Sequence, residues 1–106
     1  MRALVVVPTY NEAGALPALL EGITAFADYG ALVVDDQSPD GTGAIADAWA
    51  ARFPGRVAVL HRTGPRGLGL AYVDGLTRGL DMEVPLIVQM DADLSHDPKY
   101  LPDLVA

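Results

Sequence analysis

The sequence predicts an α/β protein built on a mostly parallel β-sheet with flanking helices. Three observations lead there: short apolar runs that are nearly continuous, stretches of helical period between them, and polar clusters where the runs end. The runs are ALVVV (3 to 7), ALVVD (31 to 35), RVAVLH (56 to 61) and PLIVQMD (85 to 91). All but the third are near-continuous rather than alternating, as in strands covered on both faces. Between the first two, Leu16, Leu19, Leu20, Ile23 and Phe26 recur at three- and four-residue steps and make one apolar stripe. Ile45, Trp49 and Phe53 do the same after the second run, and Tyr72, Val73, Leu76 and Leu80 after the third. Asp97 before Pro98 reads as an N-cap with proline at the first helical position, opening a fourth helix. The order is β-α-β-α-β-α-β-α. In such sheets ligands bind outside the carboxyl ends of the strands. The clusters PTYNE, DDQSPDG and DADLSHD all fall there, so three polar segments are expected to converge on one edge.

Composition narrows the classes of function. With 106 residues, 51% hydrophobic and 20% charged, the chain suits one globular core. A formal charge of −7 argues against a nucleic-acid partner, which requires a surplus of Lys and Arg, yet suits a site that recruits a divalent cation. Cysteine is absent, which excludes disulfides, thiolate metal ligation and a cysteine nucleophile, and fits a reducing compartment. The N-terminal apolar run is broken by Pro8, too early for a signal segment or a membrane span. At the other end, DPKYLPDLVA stops where a helical pattern has barely begun, as expected of part of a longer domain.

Two glycine patterns resemble phosphate-binding motifs without meeting their chemical demands. Gly41, Gly43 and Ala46 satisfy G-x-G-x-x-A, but DDQSPD intervenes after the strand, and Leu60 and His61 stand where an acidic ribose partner is required. Gly64 and Gly69 have P-loop spacing, but Leu70 occupies the lysine position. Turn formation and close helix approach are the plainer roles for these glycines. Asp35 and Asp36 are more informative, since adjacent acids at a strand end cannot both hold one turn. One is expected to fold back onto the loop through Ser38 and Gly41, and the other to face outward, where a carboxylate accepts from a nucleobase N–H or a ribose hydroxyl. Spacing alone leaves turn-holding and nucleotide recognition both open.

Asp91-Ala92-Asp93 ends the fourth run. On a continuing strand the two carboxylates would lie on one face, about 7 Å apart. An oxygen-rich, cysteine-free set favours Mg²⁺ or Mn²⁺ over Zn²⁺, and Mg²⁺ commonly takes one or two carboxylates plus substrate phosphates. His96 and His61 read more simply as solvated residues, and Asp97 as a helix cap.

Taken in order, PTYNE (8 to 12), DDQSPDGT (35 to 42), RGLGLAY (66 to 72) and MDADLSHDPK (90 to 99) resemble the family 2 glycosyltransferases. The likeness spans essentially the whole chain and is strongest to the dolichyl- or polyprenyl-phosphate mannosyltransferases. The resemblance implies a GT-A fold and transfer of mannose from GDP-mannose to a polyprenyl phosphate, with inversion and with help from a metal. It assigns Pro8, Tyr10 and Glu12 to the nucleotide pocket, and Val34 and Asp36 to the base and ribose. Asp91 and Asp93 become the D-x-D acids that hold Mg²⁺ or Mn²⁺ against the donor diphosphate, with Ala92 touching the nucleotide through its backbone. Ser95 falls where some relatives place a glutamine near the metal; a serine is shorter, so direct ligation and a bridging water are both open. Arg62 and Arg66 fall near these loops, where site and surface roles are both open.

The resemblance also implies an enzyme working peripherally at the cytoplasmic membrane face. It implies further that residues 1–106 form the nucleotide-sugar-binding half, with the acceptor-binding half absent. A UDP-sugar-dependent relative, and a non-catalytic nucleotide-binding or interaction module that has lost its acceptor half, are the competing readings.

Overall fold

The computed structural model describes residues 2–92 and 98–100. Four strands, β1 (Ala3–Thr9), β2 (Tyr29–Asp35), β3 (Val57–His61) and β4 (Ile87–Gln89), alternate with three helices, α1 (Leu16–Thr24), α2 (Thr42–Arg52) and α3 (Leu68–Asp81). The sheet order is β3-β2-β1-β4 and every pairing is parallel. The chain therefore winds outward from β1 to β3, then returns to the other side of β1 for β4. That reversal puts the topological switch point between β1 and β4.

Alternate residues of the buried central strands supply two cores. Ala3, Val5 and Val7 of β1 pack with Leu16, Leu19, Leu20 and Ile23 of α1, while Ile45 and Trp49 of α2 lie against the same layer. Leu4 and Val6, with Leu32 and Val34 of β2, face the opposite way toward Ala71 of α3. Every residue of β1 and β2 is buried, which explains why their sequences read as continuous apolar runs.

Helix α3 departs from the sequence expectation. Its buried residues are Ala71, Gly75 and Gly79, whereas Val73, Leu76 and Leu80 are exposed, Leu80 to 71%. Small residues at four-residue steps let the helix backbone approach β1 and β2 closely. A Cβ added at Gly75 would lie 2.6 Å from Val6 Cγ1. The large side chains consequently line the outer surface, not the core.

The fourth strand is shorter than the apolar run. Regular pairing covers Ile87–Gln89, although Met90 N–H still donates to Val6 O at 3.0 Å. Pro98–Tyr100 forms a 3₁₀ turn packed on α1, with Pro98 against Gly22. Asp97, expected to cap a helix there, lies outside the described residues.

Candidate functional site

A cleft of about 290 Å³ opens at the carboxyl ends of β1 and β4, lined by Pro8, Thr9, Tyr10, Glu12, Asp36, Leu68, Ala71, Asp91 and Ala92. Parallel strands all deliver their C-terminal loops to the same edge, so residues more than eighty positions apart meet there. Six sequence-predicted residues, Pro8, Tyr10, Glu12, Asp36, Asp91 and Ala92, line it together. Val34 does not. Its side chain is fully buried beneath α3 on the Gly75 side of the sheet. Asp93, Ser95 and His96 lie outside the described residues.

The loops after β1 and β2 are fastened to each other. Asn11 N–H donates to Ser38 Oγ at 2.9 Å, Glu12 N–H to Thr42 Oγ1 at 3.0 Å, and Ala13 N–H to Asp40 Oδ2 at 3.1 Å. The Thr42 hydroxyl and backbone N–H in turn donate to Asp40 Oδ1. These donors, the Thr42 hydroxyl foremost, hold the Asp40 carboxyl below its ordinary 3.8. Gly41 sits at φ 91° as α2 begins, a left-handed conformation that glycine adopts without strain. It makes this turn together with Asp40, not through Asp35 as expected.

The adjacent acids have divided their roles. Asp35 is the turn-holder: Oδ1 accepts from Thr9 Oγ1 at 2.8 Å and from Ser38 Oγ at 2.7 Å, and Oδ2 accepts from Ser38 N–H at 3.3 Å. Asp36 faces the cleft. Its Oδ1 accepts from Arg62 Nη1 at 2.6 Å and its Oδ2 from Gly67 N–H at 2.9 Å. Arg62 also donates from Nε to Asp74 Oδ2 at 2.6 Å. The guanidinium pKa is raised, mainly by the bond to Asp74 and then by Asp36.

On the opposite wall, Tyr72 Oη donates to Asp91 Oδ1 at 2.8 Å, so α3 fixes the orientation of a cleft carboxylate. Composition masks this link, because Tyr72 reads as one more member of an apolar stripe. Nothing in the local sequence separates it from that stripe. Arg66 lies over the Tyr10 ring, 4.6 Å from its centroid, as a cation–π pair at the cleft mouth. His61 instead pairs with Asp47 at 2.8 Å on the surface, as its solvated reading expected.

Among the described residues no three His, Asp or Glu side chains gather into a metal cage. A cation shared with a diphosphate does not require one, since phosphate oxygens and water complete the coordination. Asp91 supplies a hard, oriented oxygen donor at the cleft, and on that chemistry the described residues fit a divalent cation bound jointly with a ligand.

A parallel sheet covered on both faces, with an acid-bearing cleft at its switch point, defines a ligand-binding α/β protein whose loops carry the site. Residues 4–106 match the sequence pattern of Glycosyl transferase family 2, and the chain belongs to that family. It is 50% identical over 106 residues to an undecaprenyl-phosphate mannosyltransferase of Micrococcus luteus, covering 99% of this chain and 43% of the relative. Identity to a polyprenol monophosphomannose synthase of Mycolicibacterium smegmatis is 49% over 105 residues, covering 98% of this chain and 40% of that protein. Among solved structures, a mannosyltransferase of Pyrobaculum calidifontis in complex with GDP-Man and Mn²⁺ superposes with a TM-score of 0.69 at 32% identity, covering 87% of this chain and 27% of that one. The fold is GT-A, as the resemblance implied. The chain thus spans less than half the length of the relatives it matches.

Proposed function

We propose that residues 1–106 are the nucleotide-sugar-binding half of a polyprenyl-phosphate mannosyltransferase, which transfers mannose from GDP-mannose to a polyprenyl or dolichyl phosphate with inversion. One observation carries the reading. Pro8, Tyr10, Glu12, Asp36, Asp91 and Ala92, drawn from the ends of three separate strands and the loops that follow them, line a single cleft at the switch point. The likeness to mannosyltransferases across almost the whole chain supports mannose as the sugar and a polyprenyl phosphate as the acceptor.

Each residue contributes a distinct interaction. Asp36 accepts from the nucleoside, while the Tyr10 ring with Arg66 across its face offers a flat surface to the base. Asp91, oriented by Tyr72, would hold Mg²⁺ or Mn²⁺ together with the donor diphosphate, a role that the resemblance also gives to Asp93, with Ser95 assigned near the metal. When bound, the cation neutralises charge that gathers on the departing diphosphate. Val34 contributes at most through its backbone, since its side chain is buried beneath α3. The acceptor phosphate is ionised near neutral pH, so attack on the anomeric carbon needs no side chain as general base. The polyprenyl acceptor resides at a membrane surface, so the enzyme works peripherally at the cytoplasmic face. No helix among the described residues is long and apolar enough to cross a membrane.

Calorimetric titration of GDP and UDP in the presence of Mn²⁺, using the parent protein, Asp91→Ala and Asp93→Ala, tests the reading. Metal-dependent preference for GDP that both substitutions abolish supports it. Preference for UDP points to a UDP-sugar donor, and no binding of either nucleotide points to a non-catalytic module. If both variants bound GDP and Mn²⁺ as the parent does, the metal assignment would be wrong.

A further inference from the structure

Arg62 follows β3 directly and is buried, its side chain only 6% exposed. A buried guanidinium is costly unless its donors are satisfied, so its partners define its purpose. Nε donates to Asp74 on α3, and Nη1 donates both to Asp36 after β2 and to Pro65 O at 3.2 Å. One side chain therefore ties together the end of β2, the end of β3 and the first half of α3.

The consequence falls on Asp36. A carboxylate has about four lone-pair sites. Arg62 takes one on Oδ1 and Gly67 N–H takes one on Oδ2, so the group cannot rotate and each oxygen keeps acceptor capacity. Pairing with Arg62 also offsets a negative charge that would otherwise stand in a cleft meant for an anionic ligand. Stability alone is a poor reason for such an arrangement, because well-packed apolar residues commonly replace a buried ion pair without loss. What an apolar replacement cannot provide is a carboxylate of fixed orientation facing the cleft.

We propose that Arg62 is a positioning residue for nucleoside recognition, fixing Asp36 as an oriented acceptor, and that Asp74 fixes Arg62 in turn. The proposal rests on the nucleotide-binding reading above. Asp36 meets the ligand, and Arg62 acts through it.

The test compares Mn²⁺-dependent binding of GDP with that of inorganic pyrophosphate, which lacks the nucleoside. Arg62→Met is expected to weaken GDP binding about tenfold, the effect of losing one well-made charged hydrogen bond, and to leave pyrophosphate binding unchanged. Arg62→Lys keeps the charge without the planar fork and should recover only part of the loss. In an Asp36→Asn background Arg62→Met should cost nothing further, because the residue it positions is gone. Equal losses for GDP and pyrophosphate, or a full loss persisting in that background, would overturn the proposal, as would parental GDP affinity in folded Arg62→Met. Should Arg62→Met fail to fold, the half-exposed Asp74→Asn carries the same comparison, with a loss of about threefold expected and parental GDP binding overturning the proposal. Failure of the parent protein to bind GDP would overturn the underlying reading, and this inference with it.

Discussion

Replacing Gly75 by alanine tests whether the close seating of α3 is what brings the site together. The added Cβ would stand 2.6 Å from Val6 Cγ1 and 3.0 Å from Val34 Cγ2. Both valines are fully buried in central strands, and β-branched side chains have few rotamers to escape into. Moving from 2.6 Å to the 3.4 Å of ordinary contact needs about 0.8 Å of relief, which the helix must supply by lifting off the sheet. Overpacking of this kind costs about 1–3 kcal/mol. Alanine returns about 1 kcal/mol of helix propensity, which leaves a net loss of about 0–2 kcal/mol, centred on about 1. For a domain of this size that lowers Tm by about 4–8 °C per kcal/mol. Gly69 provides the control, because nothing lies within 4 Å of a Cβ built there. Gly69→Ala should gain about 0.5 kcal/mol, somewhat less than a mid-helix site because it lies in the first turn. Urea denaturation of both variants separates the steric effect from the propensity effect. GDP affinity should fall for Gly75→Ala alone, since lifting α3 moves Tyr72 from Asp91 and Asp74 from Arg62. A Gly75→Ala protein as stable as Gly69→Ala would refute the packing argument.

Two further outcomes can be checked. Tyr72→Phe removes the hydroxyl that orients Asp91, and Mn²⁺ affinity measured by electron paramagnetic resonance in the presence of GDP should drop about tenfold, while GDP affinity without metal stays at the parental level. Asp40 has a folded-state pKa below its ordinary 3.8, so its contribution to stability is present above that value and is lost as pH falls through the lower folded-state value. Asp40→Asn should therefore narrow the difference in Tm between pH 7 and about pH 2.5 by scanning calorimetry. An unchanged difference would mean that the Thr42 and Ala13 bonds do not favour the ionised form.

Much of the fold was legible because strand burial and helix period leave local marks. ALVVV and ALVVD lie in β1 and β2 within two residues at each end, since strands covered on both faces must be apolar throughout. Leu16 through Ile23 made a readable stripe because α1 buries large side chains. In α3 the same rule misleads. Its leucines recur with helical period, but the face that meets the sheet is Ala71, Gly75 and Gly79, and small residues carry little weight in a hydrophobic pattern. Here closeness of approach, not apolar area, decided the packing.

At the cleft a similar division holds. From the sequence by itself came the element order, the delivery of PTYNE, DDQSPDG and the start of DADLSHD to one sheet edge, and the expectation that one acid of the 35–36 pair holds a turn while the other faces outward. Those follow from strand direction and residue chemistry, which are local or topological. The family resemblance already gave Asp36 to the base and ribose; only the tertiary structure shows which partners hold each acid in its role. Thr9 and Ser38 claim Asp35, whereas Arg62 and Gly67, 26 and 31 residues further along, claim Asp36. It also turned Tyr72 from a core residue into the partner of Asp91, 19 positions away. Hydrogen bonds over such separations depend on how parallel strands and their helices stack, and no local pattern records them.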